Sequence, residues 1–359
     1  MKILTLMFFF IALPVLLAAH SDKAQAHSHG CSHQHDNGHE HGHHGHSHNH
    51  GHDHGHHHHG PEAHKDHKKG ILLAAFGSSK PQALPALENI ERMTREAFPD
   101  IPVRWAYTSR MVRHSLAGKG QHYDSPAMAL AGMEDEGFTH VAVQSLHTIP
   151  GREFHELRSV VGGFQNMQSG LKRVTLGMPL LGTPEEMIRV RDVMLDNLPQ
   201  ERTPEEAVIW AGHGSYHPAN AFYQALAYML QQKDENVFLA TLGHLGEQCP
   251  SLEDIMETLK TRGVKKAWLL PFMSVVGAHT IEDVAGKNSS GHDHSHDHGH
   301  SHSHDHGHAH NHHHHGDPWR ERLKNAGIET EVVLKGTGEY DDFVNIWLGQ
   351  LKKAVKQLH

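Results

Sequence analysis

Strand-like and helix-like patterns alternate strictly along this chain from Gly70 to its C-terminus. Short apolar runs that end in glycine or serine, such as Ile71–Ser79, are typical of strands buried on both faces of a parallel sheet. Each run is followed by apolar residues at helical spacing, as in residues 81–97. The alternation predicts parallel sheets covered by helices on both faces, because consecutive parallel strands need a crossover helix between them.

The alternation occurs twice, with four strand-helix units in each half. Strands are predicted at 71–79, 103–109, 140–150 and 174–181, and again at 208–214, 237–242, 266–276 and 331–335. The two halves open alike, with AAFGSS at 74–79 and WAGHGS at 210–215. We therefore predict an α/β fold of two similar lobes, each a four-stranded parallel sheet flanked by helices, with a cleft between them. A TIM barrel also has eight such units, but the duplication and the linker 199–204 favour two lobes.

The predicted domain organisation follows from this repeat. The N-terminal lobe is assigned to residues 70–200 and the C-terminal lobe to residues 201–359. A polar tail, 27–69, precedes the first lobe, and a polar insertion, 288–316, interrupts the second one. The insertion interrupts the connection that follows His279, so we expect it to lie beside the cleft.

The first 26 residues have the parts of a secretory signal peptide. Lys2 supplies the positive start, and the apolar run Ile3–Leu17 is too short to span a bilayer comfortably. Ala24–Ala26 matches the small-x-small cleavage pattern. We predict cleavage before His27, export to a bacterial periplasm and no stable membrane span in the mature protein. An uncleaved anchor is the alternative.

Histidine is the one unusual feature of the composition, with 44 residues. Nineteen of them lie in 27–67 and 14 lie in 288–316. We expect both segments to be disordered, because they have almost no apolar surface to bury. Neutral imidazoles at i and i+2 can chelate Co²⁺, Ni²⁺, Zn²⁺ and Cu²⁺, and Fe²⁺ is a further candidate metal. A solvated tail or an expression tag is the alternative, but a tag does not explain a second tract inside the chain.

Charge and cysteine content set further bounds. The formal net charge of -9 gives no reason to expect a nucleic acid partner. The two cysteines, Cys31 and Cys249, do not indicate a structural disulfide. The sequence leaves a homo-oligomer open.

Four side chains that bind metals stand where predicted strands end. They are His147, His213, Glu247 and His279. The carboxyl ends of parallel strands form the rim at which α/β folds bind ligands, so the set is a candidate metal site. Any one of these histidines alone is more often a satisfied polar group than a ligand.

The stretch Val208–His217 is the most informative of these, because glycines flank His213 and let the backbone turn sharply. Glu153 opens a predicted helix. An acid there is either an ordinary first-turn residue or a base that faces the cleft. His114, His122 and His155 are interpreted as surface groups.

Several motifs together resemble a known family. The segments VQSLHTIPGREF (143–154), AGHGSYH (211–217) and LPFMSVVGAHTIEDVAG (270–286) resemble the anaerobic sirohydrochlorin cobaltochelatases, which are class II tetrapyrrole chelatases. The similarity extends over residues 70–357, and it implies the two-lobed α/β fold that the repeat also predicts. It implies insertion of Co²⁺ into sirohydrochlorin with release of two protons, Co²⁺ being a substrate.

The resemblance also assigns roles to residues. It implies that His213 is a metal ligand and a proton acceptor, and that His279 is the second imidazole ligand. A loop glutamate completes the set. Glu247 is the match when the loop is aligned on PSLED (250–254), whereas the other alignment places Gly243 there and leaves His244 as a substitute.

Two more positions take their roles from the resemblance. Glu153 matches a cleft glutamate near the tetrapyrrole and is a catalytic candidate, while His147 is expected to have a structural or supporting role. Candidates to bind substrate carboxylates are Ser78, Arg110, Arg113 and Arg152.

Three alternatives stay open at this point. A chelatase of this kind could act with Fe²⁺. A non-catalytic periplasmic metal-binding or transport-receptor protein also fits a His-rich insertion, but such a receptor does not need Glu153. Haem is compatible with an exported tetrapyrrole-handling protein, although no motif indicates it.

Overall fold

The computed structural model describes residues 67–167, 170–243, 251–286 and 317–359, with the backbone but not the side chain of His279. Within these ranges the strands are β1 (Lys69–Ala75), β2 (Val103–Tyr107), β3 (His140–Ser145), β4 (Arg173–Gly177), β5 (Ala207–Gly212), β6 (Val237–Thr241), β7 (Lys266–Phe272) and β8 (Glu329–Val332). The helices are α1 (Leu84–Ala97), α2 (Arg110–Ala117), α3 (Pro126–Asp135), α4 (Arg152–Gln165), α5 (Pro184–Asp196), α6 (Ala221–Gln231), α7 (Leu252–Arg262), the single turn α8 (Ala278–Thr280), α9 (Trp319–Asn325) and α10 (Asp341–Lys356). A π-helical turn, Ile281–Ala285, follows α8.

The strands form two separate four-stranded sheets. Their orders are β2-β1-β3-β4 and β6-β5-β7-β8, and every pairing is parallel. The same topology in both halves confirms the predicted fold class of two similar α/β lobes. Two open sheets are incompatible with a closed TIM barrel.

The central strands are buried on both faces, as their apolar runs predict. All residues of β5 are buried, and Trp210 in its middle is fully enclosed. Gln144 is an exception to the apolar rule in β3. Its side-chain amide donates to the carbonyl of Met178 at 2.9 Å and to that of Ser145 at 2.7 Å, so its donor nitrogen is satisfied inside the sheet.

The last helix belongs to the packing of the first sheet. Helix α10 packs against β3, β4, α1 and α5, and Thr175 of β4 donates to the carbonyl of Ala354 at 2.9 Å. The ring of Phe343 on α10 also lies 6.3 Å from that of Trp210 in the second sheet. The C-terminal helix therefore joins the lobes through one continuous core. The boundary at residue 200 stays a prediction.

Some elements differ from the sequence prediction. Helix α2 is absent from that prediction, and it begins because Ser109 caps it by accepting a hydrogen bond from the amide of Val112 at 3.3 Å. Strand β7 ends at Phe272 rather than at 276, and β8 occupies 329–332 rather than 331–335. Over the described part of the chain, no helix has the length and apolar character needed to cross a membrane.

Candidate active site

The segments after the carboxyl ends of the strands meet between the two lobes, and we call this region the interlobe rim. Val275, after β7, packs against Ala83 and Ala86, which follow β1. On the other side, the ring of His155 in α4 lies 5.0 Å from the ring of His217, which follows β5. Both contacts join a carboxyl-end segment of one sheet to one of the other, so the rims of the two sheets face each other.

His213 is displayed at this rim on a turn that needs glycine on both sides. A side chain at Gly212 would come within 2.8 Å of the Tyr223 ring, and Gly214 has a φ of 81°, which L-residues rarely adopt. The exposed His213 ring places Nδ1 3.0 Å from the carbonyl of Gly214. Because a carbonyl only accepts, Nδ1 carries the proton and Nε2 keeps its lone pair. In this tautomer a histidine can bind a metal through Nε2 while its other N–H donates to a carbonyl.

The loop that follows β6 starts beside His213. The amide of Leu242 donates to the carbonyl of Gly212 at 2.9 Å, and that of Gly243 donates to the carbonyl of His213 at 3.2 Å. These bonds extend the sheet pairing past the last strand residue. The loop after β6 therefore begins hydrogen-bonded to the backbone of the candidate ligand His213.

Two predicted ligands cannot be placed by their side chains. Glu247 and its substitute His244 lie outside the described residues, and so does the side chain of His279. The backbone of His279 lies in α8, seven residues beyond the end of β7 rather than directly at the strand end. Among the described side chains, no three His, Cys, Asp or Glu residues cluster as a metal site. The ligand set thus stays a prediction, with only His213 in view.

His147 is fully engaged by hydrogen bonds at the end of β3. The Thr108 hydroxyl donates to the carbonyl of Ala75 at 3.3 Å, so it accepts from Nε2 of His147, also at 3.3 Å. Nδ1 in turn accepts from the hydroxyl of Ser145 at 2.8 Å. These contacts support the structural role expected for His147.

The protonation of His147 agrees with that role. Burial lowers the pKa of the His147 imidazole to about 4, and the carboxylates of Glu153 and Glu156 offset this only in part. The ring is therefore neutral near pH 7. It has neither a free lone pair for a metal nor a proton to exchange.

Glu153 occupies the first turn of α4, which begins after Gly151 at the carboxyl end of β3. Its side chain is half-buried, and the next core contact on the helix is made by Phe154. A carboxylate in a first turn is stabilised by the helix dipole. Glu153 therefore places a carboxyl group on the rim, a residue type that can serve as a general base.

The residues proposed to bind substrate carboxylates differ in how many hydrogen-bond and ion-pair partners they already have. Arg113 donates to the backbone carbonyls of Tyr107 and Thr108, and Arg152 pairs with Glu156 at 2.8 Å. The Ser78 hydroxyl accepts from the amide of Lys80 at 3.2 Å. Arg110 is exposed at the start of α2 and forms no ion pair with any described residue. It is the cation of this set that remains available to a ligand.

A comparison with protein families decides the wider assignment. The family profile described as Cobalt chelatase (CbiK) matches residues 69–300 and 302–356. This chain belongs to the cobalt chelatase (CbiK) family. The match runs from the first residue of β1 to the last residue of α10 and so covers both lobes.

Two relatives are both named sirohydrochlorin cobaltochelatases. The sirohydrochlorin cobaltochelatase CbiKC of Nitratidesulfovibrio vulgaris is 40% identical over 291 residues, which cover 81% of this chain and 92% of that protein. The sirohydrochlorin cobaltochelatase of Salmonella typhimurium is 29% identical over 292 residues, covering 80% of this chain and 97% of that protein. The family thus includes full-length relatives that match nearly end to end.

A solved chelatase structure aligns more distantly. SirB from Bacillus subtilis with Fe3+ has a TM-score of 0.49 and 14% identity, with 80% of this chain and 95% of that chain covered. At this distance no residue role passes from that structure to the cobalt chelatase described here.

Sequence reasoning missed one pair of residues at the rim. It assigns His155 to the surface and gives no role to His217, yet their half-buried rings face each other between the lobes. The signal was present in the motif AGHGSYH, which places a second histidine four residues after the first. The contact itself depends on how the lobes pack, and no local pattern specifies that.

Proposed function

We propose that this chain inserts Co²⁺ into sirohydrochlorin and releases two protons per metal inserted. Membership of the cobalt chelatase family and the names of the two relatives, both sirohydrochlorin cobaltochelatases, support this. The structural observation that carries it is the His213 ring, whose Nδ1–H is held by the Gly214 carbonyl so that Nε2 is free at the interlobe rim.

The proposed metal ligands are His213, Glu247 and His279. His213 has its Nε2 lone pair free to bind a metal, and the Glu247 loop begins next to its backbone. Two imidazoles and one carboxylate suit Co²⁺ and hold it less tightly than a set of thiolates would. The metal must leave this site during turnover, so moderate affinity is an advantage. Open coordination positions would let the macrocycle nitrogens replace bound water.

The proposed proton acceptors are Glu153 and, once the metal has left its Nε2 for the macrocycle, His213. Two pyrrole N–H protons must leave as the metal enters, and each needs a base close to the ring. Glu153 stands on the N-terminal lobe and His213 on the C-terminal lobe, so the two bases would approach the macrocycle from different lobes. His147 is excluded as a base, because both of its nitrogens are engaged.

Insertion can be tested with the purified protein. Metal-free sirohydrochlorin is mixed with Co²⁺ at neutral pH, and the change in visible absorbance is followed over time. We expect a rate well above the reaction without protein, and we expect His213→Ala to lose it while keeping the wild-type melting temperature. A folded wild-type protein with no rate enhancement would refute the proposal. Fe²⁺ in parallel reactions tests the choice of metal.

A binding experiment distinguishes the chelatase from the receptor alternative. A non-catalytic metal receptor would bind Co²⁺ without binding the tetrapyrrole. Titration of the protein with metal-free sirohydrochlorin, followed by quenching of tryptophan fluorescence, distinguishes the two. Saturable quenching supports the chelatase.

We also propose that the protein acts after export, with His-rich tracts that gather metal near the site. The pattern of residues 1–26 and the composition of 27–67 and 288–316 support this. Fractionation of the producing cells and mass spectrometry of the mature N-terminus test it. Mature protein that starts at His27 in the periplasmic fraction agrees with export, and full-length protein in the cytoplasm contradicts it.

A further inference from the structure

The two histidines of the turn after β5 are held in opposite tautomers. At His213, Nδ1 donates to the Gly214 carbonyl at 3.0 Å, which leaves a lone pair on Nε2. At His217, Nδ1 accepts a hydrogen bond from the amide of Ala219 at 3.1 Å. An acceptor nitrogen carries no proton, so the neutral His217 ring has its proton on Nε2. One turn therefore presents an acceptor nitrogen and, four residues later, a donor N–H.

This arrangement makes His217 a poor metal ligand. Binding a metal through Nε2 would displace the Nε2 proton and leave the ring as an anion, because the Ala219 amide blocks protonation of Nδ1. The usual metal-binding histidine instead donates its other N–H to a carbonyl or a carboxylate. His213 meets that condition and His217 does not.

Hydrogen bonds of the His217 backbone hold the residue in place. The amide of His217 donates to the hydroxyl of Ser215 at 3.1 Å, and the carbonyl of His217 accepts from the amide of Asn220 at 2.8 Å. The ring lies half-buried at the interlobe rim against His155, with 5.0 Å between ring centroids and 38° between their planes. Within the described part of the chain, no acceptor receives the Nε2–H of His217.

We propose that His217 and His155 together bind a carboxylate on the periphery of the tetrapyrrole. This inference rests on the proposed function, since the acetate and propionate groups of sirohydrochlorin are the anions concerned. A carboxylate only accepts hydrogen bonds, which matches the fixed Nε2–H of His217. The neutral His155 ring also carries one N–H and can supply a second donor.

The layout of the rim is consistent with a peripheral site. His217 follows the candidate ligand His213 by four residues on the same turn, and the proton on its Nε2 argues against a place among the metal ligands. Glu153 precedes His155 by two residues in α4, and two helical positions are about 200° apart around the axis. Glu153 and His155 therefore leave α4 in different directions, so the proposed base and the proposed carboxylate site are separate.

Two matched substitutions separate the two nitrogens of His217. In His217→Asn the side-chain oxygen takes the place of Nδ1 and keeps the cap on Ala219, but the Nε2–H donor is lost. In His217→Gln the amide takes the place of Nε2–H, and the cap is lost. His155→Phe keeps a ring at the lobe contact and removes its N–H.

We expect His217→Asn to weaken binding of metal-free sirohydrochlorin about tenfold to a hundredfold, the size of one hydrogen bond to a charged group. Its melting temperature and the Co²⁺ concentration for half-maximal insertion should stay at wild-type values. His217→Gln should melt earlier and bind sirohydrochlorin more tightly than His217→Asn. His155→Phe should also weaken binding, and the double variant should lose less than the product of the two single losses.

Fluorescence titrations with sirohydrochlorin and with its methyl ester give the decisive comparison. The ester carbonyl is an uncharged and weaker acceptor, so His217→Asn should lose much less affinity for the ester than for sirohydrochlorin. Wild-type affinity of His217→Asn for sirohydrochlorin, or an equal loss with the ester, overturns the inference. A rise in the Co²⁺ requirement would show that His217 is a ligand and would overturn it as well. The titrations need no turnover, so a protein that binds sirohydrochlorin but inserts no Co²⁺ refutes the proposed function alone.

Discussion

The amide of Gly243 donates a hydrogen bond to the carbonyl of His213 at 3.2 Å. This bond ties the start of the loop that contains His244 and Glu247 to the turn that presents the candidate imidazole ligand. Because β5 and β6 are neighbours in the sheet, a ligand on this loop starts close to the His213 turn. The two alignments of the loop therefore make different and testable predictions.

We expect Glu247→Gln to raise the Co²⁺ concentration for half-maximal insertion at least tenfold, because a neutral amide replaces a charged oxygen ligand. His244→Gln should change this concentration less than twofold. Initial rates measured against free Co²⁺ give both values, with sirohydrochlorin saturating. The reverse result would assign the ligand to His244 and correct the loop alignment.

The orientation of His213 depends on the glycine that follows it. Gly214 has a φ of 81°, and its carbonyl holds the His213 Nδ1 proton. We expect Gly214→Ala to destabilise the fold by about 1 to 2 kcal/mol and also to raise the Co²⁺ requirement, since the strained carbonyl moves.

Gly263 provides a matched control for this change. It ends α7 with a φ of 73°, and a side chain there would meet no atom within 4 Å. Gly263→Ala should cost a similar free energy of unfolding without altering the Co²⁺ requirement. Thermal melts and insertion rates on both variants test the pair. Equal Co²⁺ requirements in the two variants would show that the Gly214 carbonyl does not position the ligand.

Much of this structure could be predicted from local pattern. Apolar runs such as Ile71–Ser79 and Val208–Gly214 specify strands buried on both faces, and their alternation with helical spacing specifies two parallel sheets. The glycines around His213 also predict a turn. What local pattern could not specify is the packing of α10 on the first sheet or the contact of His155 with His217, because both join residues far apart in the chain.

The tautomers of the rim histidines were also beyond sequence reasoning. His147, His213 and His217 are the same residue type after strand ends, yet the neutral rings of His147 and His217 carry the proton on Nε2, whereas that of His213 carries it on Nδ1. His147 has both nitrogens engaged, His213 keeps a lone pair and His217 keeps a donor. Partners such as the Thr108 hydroxyl, which follows β2, come from a distant part of the chain, so the sequence alone does not reveal them.

His147 predicts a dependence of stability on pH. Its pKa is lowered by burial to about 4 in the folded state, from 6.5 in the unfolded chain. Between these values the unfolded chain binds more protons, so stability is complete above pH 6.5 and falls as the pH drops toward 4. The loss from this residue is about 2 to 3 kcal/mol.

Urea unfolding of the wild type and of His147→Asn at pH 7.5 and pH 4.5 tests this. The substituted side chain cannot titrate, and its amide oxygen can still accept from Ser145 in place of Nδ1. The free energy of unfolding should therefore fall less in the variant than in the wild type on acidification. Parallel curves for the two proteins would mean that His147 is not held neutral by the fold.

The His-rich insertion can be deleted because the residues on either side of it lie close together. Gly286 precedes the insertion and Pro318 follows it. The two residues are close in space, since a Cβ atom added at Gly286 would lie 3.5 Å from Pro318 Cγ. A short linker can therefore replace residues 289–315 without pulling the flanking elements apart. We expect this deletion to raise the Co²⁺ concentration for half-maximal insertion severalfold, with the maximal rate unchanged, because the tract supplies metal rather than chemistry. A variant with every histidine of 292–315 changed to glutamine controls for length and should behave like the deletion. A fall in the maximal rate at saturating Co²⁺, seen in the deletion but not in the glutamine variant, would instead assign the segment a structural part in catalysis.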